Sequence, residues 1–304
     1  MYDLIVIGDD LSSHVSAAYA SQNGLHTLLI AESGMGGLQL IGDFVFNIDC
    51  TPLSGLGPDQ PGLSILTELG IAIPETHPTS INPAFQVILP DHRIDFYNDL
   101  GALKSELARE FPHWETDISA FYNVAADTSS IFQEWVTEHP QIQPQTLKEY
   151  FSYLKIFPFI FRYKFGAANF DKILSQDESL EKVWEAQQAL LSINNDDLFS
   201  FASAFQYSAP LRGVSYFPQG KQFLFNALVE KLESNKGLSL NNHQILSLTR
   251  NKTIDLEIKA PDNATSKVSG LNLIVSTKSD KLSMIRGSHK HINFSDWLRP
   301  AKIA

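Results

Sequence analysis

Gly8-Asp9-Asp10-Leu11-Ser12-Ser13 joins an apolar run, Leu4-Ile5-Val6-Ile7, to a stretch of small residues at helical spacing (Val15, Ala17, Ala18, Ala20). About two dozen residues beyond Gly8, a second apolar run, Thr27 to Ile30, leads to Glu32. Residues of these types at this spacing suit the holding of a nucleotide diphosphate. A glycine at the strand end permits the tight turn, a second lets the backbone approach the pyrophosphate, and a third lets helix and strand pack closely. An acid at the tip of the next strand takes a ribose hydroxyl. Gly8 and Glu32 fill the first and last of these roles, whereas Asp10 stands in place of the second glycine and Ser13 in place of the third. Ser13 is a small change. Asp10 adds bulk and a negative charge where a pyrophosphate would lie, which offsets the preference of a helix N-terminus for anions. Two readings stay open: a dinucleotide site with Gly8, Asp10, Leu11, Ser13 and Glu32 around its ligand, or a βαβ unit kept for its fold with the ligand lost.

Other candidate chemistry is thinner. His289 and His291 flank Lys290, but no carboxylate or cysteine accompanies them, so a solvated tail is preferred to a metal site. Cys50 follows Asp49 at the end of an alternating run and reads as packing before redox. No G-x-S-x-G, P-loop or HExxH pattern occurs. Asn251-Lys252-Thr253 and Asn263-Ala264-Thr265 match glycosylation acceptors by chance if the chain is cytoplasmic.

The elements that must position the opening turn belong to a chain with material for a full core. Of 304 residues, 43% are hydrophobic and 19% charged, and the length suggests about two domains. A net charge of −11 and a pI near 5.2 argue against a nucleic-acid partner. A single cysteine excludes an internal disulfide framework and cysteine-rich zinc sites. The first strand begins at Tyr2, which leaves no room for a signal peptide, and no run has the length of a membrane span without a charge or proline. A cytoplasmic protein is expected.

After Glu32, Ser33-Gly34-Met35-Gly36-Gly37-Leu38 reads as a glycine-rich turn, and Asp43 to Asp49 alternates as a strand. Gly62 to Leu69 reads as a helix stopped by Gly70, and Phe85 to Phe96 as a hairpin turning at Pro90-Asp91-His92. Asp99–Phe111 and Trp114–Trp135 are predicted helices, the second burying Ile118, Phe121, Tyr122, Ala125 and Phe132. Phe151 to Phe170 is the most aromatic stretch of the chain. It is read first as helical core, with the lining of a lipophilic channel or a contact with a membrane surface as alternatives. Residues 171–209 suit helices, with Asn194 to Asp197 as a turn or cap. A further helix over Phe223 to Leu232 and strands over Thr253–Lys259 and Val268–Ser276 follow.

The ordered segments YDLIVIG, AESGMGG, GDFVFNIDCTPLSG and LTELGI, then the Phe85–Phe96 hairpin and Gly213-Val214-Ser215-Tyr216-Phe217-Pro218-Gln219-Gly220, resemble phytoene desaturase-like and amine oxidase-like flavoproteins. The Val268–Ser276 strand and Ser279-Asp280-Lys281-Leu282 continue the likeness, which stops short of that family's C-terminal flavin motif. The resemblance implies an α/β fold: a Rossmann-like FAD/NAD(P)-binding domain with an inserted, largely helical α+β substrate domain. The parts would be 1–75 and 213–304 for FAD and 76–212 for substrate. It implies FAD as cofactor, with Gly36 and Gly37 near the pyrophosphate and Ile245 at the adenine. Leu38 stands where the family often carries Arg, removing a cation near the diphosphate. The implied activity is hydride transfer from an apolar substrate to flavin, with no catalytic acid or base identified. The departures at Asp10, Ser13 and Leu38 motivate the alternative, a flavin-free relative that binds a protein or lipid partner.

Overall fold

The computed structural model describes residues 1–32, 38–41, 44–47, 53–57, 60–73, 81–138, 147–190, 201–215, 221–250 and 252–276. Elements follow in the order β1 (Tyr2–Ile7), α1 (Leu11–Gln22), β2 (Thr27–Ala31), β3 (Leu38–Ile41), β4 (Phe44–Asn47), β5 (Leu53–Ser54) and α2 (Pro61–Glu68). Next come β6 (Phe85–Ile88), β7 (Arg93–Phe96), α3 (Leu100–Glu110), α4 (Glu115–Glu138), α5 (Leu147–Leu174), α6 (Glu178–Leu190) and α7 (Phe201–Tyr207). The chain continues through β8 (Val214–Ser215), α8 (Gln222–Ser234), β9 (Leu238–Asn241), β10 (Gln244–Arg250), β11 (Ile254–Lys259) and β12 (Thr265–Val275). The described residues of Met1–Cys50, Ile65–Ala72 and Phe217–Asn293 form one compact unit, and those of Thr51–Ser64 and Ile73–Tyr216 a second.

Strand side chains alternate between faces, and β1 uses both. Leu4 and Val6 pack with Ala17 and Ala20 of α1, Leu29 and Leu232. Ile5 and Ile7 pack on the other face with Leu28, Ile30, Ile245, Leu256 and Ile258. A strand buried on both faces reads as a continuous apolar run, which explains why β1 and β2 are the plainest strands of the sequence. The first unit is thus built on a six-stranded sheet in the order β10-β11-β12-β1-β2-β9. Its pairs β12–β1, β1–β2 and β2–β9 are parallel, and β10–β11 and β11–β12 antiparallel. The fold is mixed α/β with a mainly parallel central sheet.

Small residues let α1 lie close to its neighbours: Ala17 and Ala18 are fully buried, and Ala18 meets Leu69 and Leu228. β3 and β4 form an antiparallel hairpin in the same unit, so Leu38, read in sequence as the end of a turn, opens a strand opposite Asn47. The reading of Asp43 to Asp49 as a strand holds over β4 within the described residues. Gly70, at φ 72°, follows α2 in the left-handed region where glycine is favoured.

The second unit is mainly helical and carries the β6–β7 hairpin, in the register Phe85–Phe96 to Ile88–Arg93. Asp99 caps α3 by accepting from Ala102 N at 2.8 Å. Its core joins Leu103, Leu107 and Phe111 to Ile118, Phe121, Tyr122 and Ala125 of α4, as the helical spacing predicts. Phe121 stacks on Phe170 at 4.5 Å, and Trp184 on Tyr207 at 4.4 Å. Tyr122 donates to Gln187 Oε1 at 3.1 Å, and burial pushes its phenol far above the ordinary range.

The aromatic stretch divides. Ile156, Tyr163, Ala167 and Phe170 of α5 are core, but Phe151, Leu154, Phe161 and Phe165 are exposed. No helix among the described residues is long and apolar enough to cross a membrane.

Candidate functional site

At the carboxyl end of β1 the chain turns at Gly8, whose N–H donates to Ile30 O at 3.1 Å. A Cβ here would stand 2.3 Å from Ser13 Oγ and 2.6 Å from Ser276 Cβ, so only glycine fits. Asp10 then takes the N-cap position of α1, with φ −82° and ψ 165°. Its Oδ1 accepts from Ser13 N at 2.8 Å and from Ser13 Oγ at 3.0 Å. Its Oδ2 accepts from Ser276 Oγ in a short hydrogen bond. Ser276 follows β12, the strand beside β1, and is held there by its own N–H bond to Ile7 O at 2.8 Å.

Both oxygens of one carboxylate are therefore engaged at the positive end of a helix. That is where backbone amides and the helix dipole would otherwise favour a phosphate. The carboxylate that reads in sequence as an intruding charge is, in the structure, the anion at this helix end. Neighbouring Asp9 adds a second carboxylate to the same turn.

Glu32 lies partly buried just past β2, which is parallel to β1. Its Oε1 accepts from Ile245 N at 3.0 Å. Ile245 sits at an irregularity in the β10–β11 register, with its side chain in the core beside Ile5 and Leu28. The structure thus joins Glu32 to Ile245 and groups Gly8, Asp10 and Ser13 at the neighbouring strand end. Leu11 begins α1 and packs on the cluster of Ala18, Leu69 and Leu228. Gly36 and Gly37 lie outside the described residues, as do the side chain of Leu38, Cys50, His289, His291 and the Ser279–Leu282 segment.

Two participants escaped the sequence reading. Ser276 reads there only as the end of a strand, and nothing local announces a partner 266 residues away. His14, one turn into α1, is buried and hydrogen-bonds Asp10 O through Nδ1 at 2.9 Å, with its ring edge-on to Phe225 at 4.6 Å. Burial pulls its pKa below the ordinary histidine value, against the Asp10 carbonyl and the charges of Asp9 and Asp10, which raise it. No group of three or more potential metal ligands exists among the described residues.

The residues present fit a dinucleotide at one end and not at the other. Glu32, at a strand tip with one oxygen fixed, has the placement of an acid that receives a ribose. The diphosphate end does not fit, because the amide of Ser13 already serves Asp10 and an added phosphate would meet that carboxylate.

No model of a known protein family matches the chain, and no curated protein does. Among solved structures, a Pyrococcus furiosus protein is similar with a TM-score of 0.50 and 16% identity, over 93% of this chain and 60% of that one. An oxidoreductase from Methanosarcina mazei is similar with a TM-score of 0.51 and 16% identity, over 90% of this chain and 58% of that one. At this identity the likeness is one of fold, and the chain spans about three fifths of the length of each.

Proposed function

We propose that this chain is a flavin-free relative of FAD-dependent oxidoreductases that uses the fold for binding. The observation that carries the reading is the Asp10 carboxylate, which caps α1 and holds Ser13 and Ser276 where a diphosphate would bind. The strand–turn–helix–strand order, the glycine at the turn and the acid at the next strand tip support descent from a dinucleotide-binding fold. The fold shared with an oxidoreductase agrees with that descent. Protein or lipid partners, including a membrane surface at the exposed aromatic face of α5, are the binding chemistry this reading admits.

One observation favours a second reading, an FAD-dependent oxidoreductase of the phytoene desaturase and amine oxidase kind. Glu32, just past a strand tip, is oriented by the Ile245 amide, which supports a role for it as the acid that receives a ribose in such folds. On that reading Glu32 holds the ribose, Ile245 lies at the adenine, Gly8 shapes the turn, and Gly36 and Gly37 approach the pyrophosphate. The flavin would supply the hydride acceptor, and the helical unit would bind an apolar substrate and exclude water.

Purified protein separates the two. A colourless preparation that takes up no FAD on titration, with uptake restored by Asp10→Gly, supports the flavin-free reading. Flavin absorbance in the wild-type protein, retained through gel filtration, overturns it.

A further inference from the structure

The second unit holds a cationic group that the nucleotide turn does not explain. Arg212 closes the short 3-10 turn Pro210–Arg212 and lies against a cleft of about 530 Å³. Its Nη1 donates to Ser129 Oγ at 2.7 Å and to Ser208 Oγ at 2.8 Å. Its guanidinium carbon is 3.5 Å from the centroid of the Phe205 ring. Both serines are buried, and the Ser208 hydroxyl donates to Ala204 O at 2.7 Å. The guanidinium is thus held by hydroxyls and a ring. Among the described residues, no carboxylate lies within ion-pair distance of it, and its shielded Nε has no hydrogen-bond acceptor.

Burial pulls the Arg212 pKa down to about 10, so the group still carries its charge at neutral pH. A desolvated cation without a counter-ion is unfavourable, and an anion that enters the cleft relieves that cost. The walls select the anion. Ser130, Gln133 and Gln60 supply neutral polar groups, and Ala126 and Leu211 supply apolar surface. Glu134, exposed on the same cleft, disfavours a highly charged ligand. The volume falls in the range of small-molecule sites.

We propose that this cleft binds a small molecule carrying one carboxylate on an apolar body, with Arg212 as the group that recognises the anion. The inference concerns the second unit alone and does not depend on whether flavin is bound.

Isothermal titration of the full chain with benzoate, benzamide and inorganic phosphate tests it. Benzoate should bind, with benzamide and phosphate at least tenfold weaker, and Arg212→Met should weaken benzoate at least tenfold. Because Arg212→Met removes structural bonds, Ser130→Asp provides a second route. It places a carboxylate on an exposed wall of the cleft, and a folded variant should lose benzoate binding. Any of four results overturns the proposal: no benzoate binding at millimolar concentrations, benzamide equal to benzoate, phosphate tighter than benzoate, or benzoate affinity unchanged in a folded Ser130→Asp protein.

Discussion

Asp10→Gly should convert the opening turn into a site for a diphosphate, and its effect can be worked from the geometry. The carboxylate now occupies Ser13 N at 2.8 Å, the position a phosphate oxygen would take. Two unit charges at about 4 Å in an effective dielectric of about 20 repel by roughly 4 kcal/mol. A diphosphate carries more than one charge, but salt screening and the serine hydroxyls on Asp10 offset the excess, so one pair's worth is a fair measure. That corresponds to about a thousandfold in Kd. The stability cost is smaller. Gly at an N-cap is only a few tenths of a kcal/mol worse than Asp, whereas Ala costs about 1 kcal/mol.

The assay is calorimetric titration with ADP, which has the adenosine and diphosphate without the flavin ring. Wild type should bind ADP no tighter than millimolar and Asp10→Gly in the micromolar range. Asp10→Asn, which keeps a capping oxygen and removes only the charge, should fall between them. Urea denaturation should place Asp10→Asn within about 1 kcal/mol of wild type and Asp10→Gly and Asp10→Ala about 1–3 kcal/mol below it, because both also leave the Ser13 and Ser276 hydroxyls without their acceptor. A folded Asp10→Gly protein with unchanged ADP affinity would show that the carboxylate is not the barrier. Micromolar binding by wild type would refute the reasoning from the other side.

Further substitutions test the frame around that turn. Gly8→Ala should destabilise the first unit by about 2 kcal/mol or more through forced core contacts, and Ser13→Gly should not rescue it, since Ser276 Cβ also stands 2.6 Å from the added methyl. Circular dichroism melts of the single and double variants check this. Glu32→Ala leaves the Ile245 amide without its carboxylate and should cost about 1–3 kcal/mol in urea denaturation, whereas Glu32→Gln, which keeps an acceptor, should cost less. His14 has a folded-state pKa below its unfolded value because burial disfavours the imidazolium. Its contribution to stability is therefore present above about pH 6.5 and is lost as pH falls below that value, where the unfolded chain takes up the proton first. Urea midpoints measured from pH 7.5 to 5 should fall more steeply for wild type than for His14→Gln. In α5, Phe170→Ala, at a residue 1% exposed, should cost about 3–5 kcal/mol, while Phe165→Ser, at one 72% exposed, should cost less than about 0.5 kcal/mol.

What the sequence made legible follows from how local each signal is. β1, α1 and β2 were readable because burial on both faces forces continuous apolar runs and close packing forces small residues. Asp99 and Gly70 marked helix ends for equally local reasons, a side-chain cap and a left-handed turn. Nothing local marks the strand at Leu38–Ile41, because the glycine run before it looks like an extended turn. Periodicity could not tell which side of α5 would be covered, since the helix is apolar around most of its circumference. Arg212 belongs to no motif: its meaning lies in the serines, the ring and the absence of an ion pair to a carboxylate among the described residues, which only folding assembles.

Asp10 shows the same limit at the centre of the site and decides how the turn is understood. From sequence alone, a carboxylate in place of a glycine is a defect, a charge set against a ligand. In the fold each of its oxygens has a donor, one set from the helix it caps and one from the end of the adjacent strand. A buried or half-buried charge that meets matched donors adds to stability, while one left unmet subtracts from it. The turn therefore has two self-consistent forms: glycine with an external anion, or aspartate with none. A protein that held both the aspartate and a diphosphate would have to break three hydrogen bonds and bring like charges together. That is the support the geometry of the turn lends to the flavin-free reading.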